Sequence, residues 1–169
     1  MEYETFLVRT PIQNRDVRLR GDAWSAARKK SIRRGLRTLH NLEIMAVNIY
    51  RFQVGPAPNE HNRLLVAAML NEMTHAEDFL VKLAEHRMRP SLFRWTTWTA
   101  GMAIGLVSRW MGPVFILRTG IWVETKAIRH YSELLAGIEW DDDTRAIVEK
   151  DRKDEEEHIR MWTRLMEKA

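Results

Sequence analysis

Six side chains in this sequence have the types and spacing to hold two metal ions. Glu72 and His75 form one Glu-x-x-His pair, and Glu155 and His158 form a second. At i and i+3 on a helix the two side chains leave the same face, near enough to share one ion. Each pair follows a lone Glu at nearly the same distance, 29 residues from Glu43 to Glu72 and 31 from Glu124 to Glu155. The pattern reads as one helical hairpin used twice. Four carboxylates with only two imidazoles favour iron or manganese over zinc or copper. The sequence has no Cys, which removes thiolate ligands, thiolate nucleophiles and disulfides.

These residues matter because of the stripes that carry them. Apolar residues recur every three or four positions through Ile32, Leu36, Leu39, Glu43, Ala46 and Tyr50, and through Leu65, Ala68, Glu72, His75, Phe79 and Leu83. The same period runs through Leu117, Ile121, Glu124, Ala127, Tyr131 and Leu135, and through Ile147, Asp151, Glu155, His158, Trp162 and Leu165. Each stripe turns polar midway, and an ionised carboxylate in a packed interior is costly unless a cation offsets it. Arg and Lys are scarce on these faces, so a bound metal centre explains the acids better than internal ion pairs. One Glu from each of two helices, plus Glu-x-x-His from each of the other two, is the ligand set of ferritin-like di-iron and di-manganese bundles.

Each lone Glu is followed seven residues later by a Tyr on its own face, Tyr50 and Tyr131, and His130 adjoins the latter. These three are the candidates for handling protons or electrons beside the ions. Asn71 and Asp154 precede the paired Glu residues and are placed to orient ligand imidazoles. His40, His61 and His86 are expected on helix surfaces or at helix ends.

Strand signals are almost absent, so the fold class is all-α, a ferritin-like four-helix bundle with an additional apolar crossover helix. Helices are expected from after Asp22, the candidate N-cap, to about Gln53, from about Glu60 to His86, from Ser91 to Trp110, from Pro113 to about Ala136, and over roughly 142–167. The 169 residues suit one domain, with an extended arm over 1–22 and the crossover over 89–112. Ten Lys or Arg and four acids fall within residues 1–40, against 17 and 19 in the remainder, so the net charge of +4 is an N-terminal feature. No Gly-rich phosphate-binding motif occurs, and Met1 to Arg20 lacks the apolar core of a secretory signal, so a cytoplasmic protein is expected.

The crossover is unusual. Trp95 to Ser108 is a run of 14 residues without a charge, interrupted at Arg109, too short to span a bilayer. Trp95, Trp98, Trp110 and Trp122, with Arg94, Arg109 and Arg118 among them, fit a segment lying in a membrane interface. A buried core helix or a homodimer contact are the other readings. Gly101 and Gly105 permit close helix approach.

The segments LEIMAVNIYRFQ around Glu43, EMTHAEDF around Glu72 and His75, EHRMRP, WTAGMAIG, WVETKAIRHY around Glu124 and KDEEEH ending at His158 carry a family resemblance. From about Arg33 to His158 the chain resembles the demethoxyubiquinone hydroxylases of ubiquinone biosynthesis, members of the ferritin-like di-iron carboxylate proteins. It departs from them at Asn41, Leu42, Ile44 and Met45, where a Gly-containing stretch is usual. The resemblance implies two iron ions held by Glu43, Glu72, His75, Glu124, Glu155 and His158, with Glu72 and Glu155 bridging. It implies a monooxygenase that takes a polyprenyl quinone or quinol from the membrane, uses O₂ as co-substrate and hydroxylates the ring. Peripheral attachment to the cytoplasmic face of the membrane is implied with it. Electrons would come from an external donor, NADH or a reductase, or from the quinol itself. Two other readings stay open. One is a di-iron hydroxylase of modified tRNA using the basic run Arg28 to Arg37, although nucleic acid is not the favoured partner. The other is a non-catalytic, ferritin-like iron-binding or peroxide-scavenging protein.

Overall fold

A computed structural model of the chain describes residues 17–21 and 23–168. Five helices follow one another, α1 (Ala26–Gln53), α2 (Glu60–Glu85), α3 (Arg94–Met111), α4 (Pro113–Gly137) and α5 (Asp142–Met166). Their ends obey local chemistry. Ser25, Asn59 and Asp141 each accept a backbone N–H of the first turn, and Asp142 and Asp143 add negative charge at the N-terminus of α5. Gly55, Pro56 and Pro58 lie in the turn after α1, and Gly112 at φ +98° with Pro113 makes the break between α3 and α4. Asp22, expected to cap α1, lies outside the described residues; Ser25 supplies the cap.

The helices pair as the repeat requires. α1 packs along α2 and α4 along α5, and the two hairpins meet through α1 with α4 and α2 with α5. The bundle interior has an apolar cluster on either side of its middle. One holds Ile32, Leu36, Leu39, Phe79, Leu83 and Val148; the other holds Tyr50, Leu64, Leu65, Leu117 and Trp162. The acidic residues lie between them.

α3 lies against α1 and reaches α4. It buries only Gly101, Gly105 and Ser108, with Ser108 accepting a hydrogen bond of 2.8 Å from Gln53. Ile104 packs on Ala46, Ile49 and Val123, so the helix rides over the seam between α1 and α4. Its outer face is apolar. Trp95 is 63% and Trp110 87% exposed, with Leu106, Val107 and Met111 beside them. Among the described residues no helix is long and apolar enough to cross a membrane.

Of the expected arm over 1–22, residues 17–21 are described and lie without regular structure along the end of the bundle. Arg20 bonds Asp141 at 2.7 Å and pairs with Asp143, and its backbone N–H donates to the Glu85 carbonyl. One histidine departs from expectation: His40, within α1, is buried, because α3 begins beside it. His86 stands at the C-terminal end of α2, as expected, and is covered there by Trp24, ring centroids 4.9 Å apart.

Candidate metal centre

Glu43 on α1, Glu72 and His75 on α2, Glu124 on α4, and Glu155 and His158 on α5 converge at mid-bundle, all buried. They form two overlapping groups, Glu43, Glu72, His75 and Glu155, and Glu72, Glu124, Glu155 and His158, with the candidate ligand atoms of each group within 4.8 Å of one another. His75 Nδ1 lies 3.1 Å from Glu155 Oε1, 3.6 Å from Glu72 Oε2 and 3.9 Å from Glu43 Oε2. His158 Nδ1 lies 3.0 Å from Glu72 Oε1, 3.2 Å from Glu155 Oε2 and 3.7 Å from Glu124 Oε1. Glu72 and Glu155 therefore each turn one oxygen to each histidine. That is the geometry of a carboxylate shared by two ions.

The donor set fits a pair of cations. Both Glu72 oxygens, Glu124 Oε2, Glu155 Oε1 and His75 Nδ1 are buried without a hydrogen-bond partner, although buried polar atoms are ordinarily paired. Four carboxylates match the charge of two divalent ions, and without such charge their burial is costly. Burial, then the charges of Glu72 and Glu155, push Glu43 well above the usual carboxylate range; burial with Glu155 and Glu72 does the same to Glu124. Burial also works against charge on His75 and His158, yet the surrounding acids hold both imidazoles well above their usual range.

The stability of the metal-free protein should follow from these directions. Glu43 and Glu124 keep protons in the folded chain that the unfolded chain loses from about pH 4.5 upward, and His75 and His158 do so from about 6.5 upward. The folded state binds the extra protons, so its stability falls as pH rises. Glu72, held low by His158 and His75 against its burial, acts in the opposite direction only below 4.5. Calorimetry of the metal-free chain should show the melting midpoint dropping by several degrees between pH 6.5 and 9. Metal loading should flatten that slope, because bound ions displace the same protons.

Both tyrosines sit at the centre. Tyr131 donates to Glu43 Oε1 at 2.6 Å, and Tyr50 donates to Glu124. Tyr50 also accepts from the indole of Trp162 at 3.1 Å, a contact the sequence offered only as an apolar position on the α5 stripe. His130 is not brought to the cluster: its Nδ1 contacts the Lys126 carbonyl at 2.8 Å on the outer side of α4. Asp154 stands 3.1 Å from His75 Nε2, whereas Asn71 Oδ1 is buried without a partner.

One small cleft reaches the acids. About 40 Å³ in volume, it opens between α1 and α4 and is walled by Leu42, Met45, Ala46, Trp122 and Ala127, with Glu43 and Glu124 at its floor.

Residues 30–165 match the protein family described as ubiquinone biosynthesis protein COQ7. Over 138 residues the chain is 30% identical to a Dictyostelium discoideum protein named NADPH-dependent 3-demethoxyubiquinone 3-hydroxylase, mitochondrial, covering 78% of this chain and 63% of that relative.

Proposed function

The chain belongs to the COQ7 family of ubiquinone biosynthesis proteins, and from that premise we propose that it is a di-iron monooxygenase hydroxylating the ring of a membrane-derived polyprenyl quinol. The observation that carries the proposal is the convergence of Glu43, Glu72, His75, Glu124, Glu155 and His158, with unpartnered oxygens and nitrogens, on a space between four helices. Iron bound there would supply the activation of O₂, one oxygen atom entering the ring and the other leaving as water, with two electrons from an external nicotinamide or reductase.

The chain's own residues do the rest. Tyr131 and Tyr50 hold one oxygen each of Glu43 and Glu124 and fix the two acids that border the cleft. Trp162 fixes the Tyr50 hydroxyl in turn. Ala46, Val123 and Ala127 line the approach with apolar surface that excludes bulk water. At about 40 Å³ the cleft admits molecules the size of water or O₂. A quinol ring needs this opening to widen.

Membrane contact through α3 belongs to the same proposal. Its exposed tryptophans, with Phe93, Phe115 and Trp122, form an apolar face beside the cleft, edged by Arg94, Arg109 and Arg118. Replacing Trp95 and Trp98 together by Ser is expected to cut co-sedimentation with anionic liposomes several-fold while leaving metal content unchanged. Undiminished co-sedimentation would remove α3 as the membrane contact.

The function is tested by supplying the iron-loaded chain with a demethoxyquinol, a reduced nicotinamide and ¹⁸O₂, and reading the product by mass spectrometry. A quinol carrying one ¹⁸O is expected. Iron oxidation without any oxygenated product would support the iron-binding alternative instead.

A further inference from the structure

The two halves of the centre differ behind their histidines. His75 turns Nδ1 to the cluster and Nε2 outward, to Asp154 at 3.1 Å and Asp151 at 3.8 Å. Asp151 is wholly buried, and its Oδ2 has no hydrogen-bond partner. Lys150 Nζ bonds Asp151 at 3.0 Å and Asp154 at 3.1 Å, so two carboxylates and one ammonium stand behind this imidazole. The ammonium already serves both acids, which argues against a separate cation in that place.

His158 also gives Nδ1 to the cluster, yet among the described residues no carboxylate lies within 4 Å of its Nε2. The hairpin repeat identifies what stands in the equivalent register. Counted back from the paired Glu, α5 carries Asp154, Asp151 and Lys150 where α2 carries Asn71, Ala68 and Ala67. The repeat that duplicates the ligands does not duplicate the charges behind them. A carboxylate bonded to the outer nitrogen of a ligand imidazole fixes its orientation and makes the facing nitrogen a better donor, an effect of about 10–100-fold in metal affinity. The net negative charge of the Asp151, Asp154 and Lys150 group adds attraction for a cation in front of His75.

We infer that the two metal positions are unequal. The ion held by His75 with Glu43, Glu72 and Glu155 binds first and more tightly. The ion held by His158 with Glu72, Glu124 and Glu155 is the weaker and more readily exchanged. This rests on the di-metal reading above and adds to it an order of filling set by residues that touch no metal.

The test is an anaerobic titration of the metal-free chain with Co²⁺ at pH 7.5, followed by calorimetry and visible absorption. The parent chain should bind in two steps at least about tenfold apart in affinity. His158→Ala should keep the tight step, and His75→Ala should lose it. The paired change Asp151→Asn with Asp154→Asn should close the gap by weakening the tight step alone, and Asn71→Asp should narrow it by strengthening the weak one. These last two variants retain every ligand, so they decide the matter even where His75→Ala does not fold. Two equal steps in the parent, or an unchanged gap in the Asp pair, would overturn the inference. No bound Co²⁺ at all in the folded parent would overturn the di-metal reading itself.

Discussion

Glu43→Gln is expected to raise the thermal stability of the metal-free chain at pH 7.5 while destroying its ability to hold a metal pair. Glu43 is 2% exposed and faces Glu72 and Glu155, and burial and those charges push its carboxyl well above the ordinary range. At pH 7.5 the folded chain therefore either retains a proton there or carries an uncompensated charge. Gln has the shape of the protonated acid, still accepts from the Tyr131 hydroxyl, and removes the like-charge repulsion. Relief of a poorly compensated buried charge is worth about 1–4 kcal/mol, of which a gain of about 1–2 kcal/mol is expected here. The same variant loses an anionic ligand, and its iron content should fall to about one ion per chain or fewer. Iron-loaded parent should then be more stable than iron-treated variant, reversing the order seen without metal. A site that stabilises the fold only when filled is one kept for its ligand. A metal-free Glu43→Gln chain less stable than the parent would mean that the carboxylate is compensated within the protein.

Gly101→Val should have the largest effect outside the centre. A Cβ at Gly101 would lie 2.4 Å from the Met45 carbonyl oxygen, and one at Gly105 would lie 2.5 Å from the Ile49 carbonyl oxygen. Both obstacles are the backbone of α1, which cannot rotate away. α3 must lift, breaking the Gln53 to Ser108 hydrogen bond and uncovering Ile49 and Ala46. Overpacking of this kind costs about 1–3 kcal/mol, which for a chain of this length lowers the melting midpoint by roughly 3–10 °C. Gly137→Ala is the control, because a Cβ there meets nothing within 4 Å. Since Met45 also walls the cleft, Gly101→Val should slow quinol turnover more than it lowers iron content. A midpoint equal to that of Gly137→Ala would show that α3 is held by something other than its glycine contacts.

The features legible in the sequence were those with a strict period. The five helices fall within a few residues of the spans expected from the stripes and from the break before Pro113, although the cap of α1 is supplied by Ser25. The inward acids were legible because a 3.6-residue stripe fixes which side chains share a face, and the hairpin repeat fixes which faces meet. Residues displaced from a stripe were harder. His130 is one position from Tyr131, and one residue turns a side chain through 100° to the outside of α4. His40 and His86 gave no sign of burial, because what covers them comes from distant parts of the chain, the start of α3 and Trp24. Asp151 was visible on the α5 stripe, but its place behind His75 depends on how α2 and α5 cross. The docking of α3 through Gly101 and Gly105 was visible only as permission for close approach, and the backbone it would meet was not written in the sequence.

Whether the four inward carboxylates hold a metal pair is decided by elemental analysis of the purified chain after anaerobic loading with Fe²⁺ and exposure to O₂, read together with the near-ultraviolet spectrum. About two irons per folded chain with an oxo-bridged absorption are expected, and in Glu43→Ala and His158→Ala no more than about one iron per chain and no such absorption. A folded parent chain that binds neither iron nor manganese would contradict this expectation, and the four inward carboxylates would then require another source of positive charge.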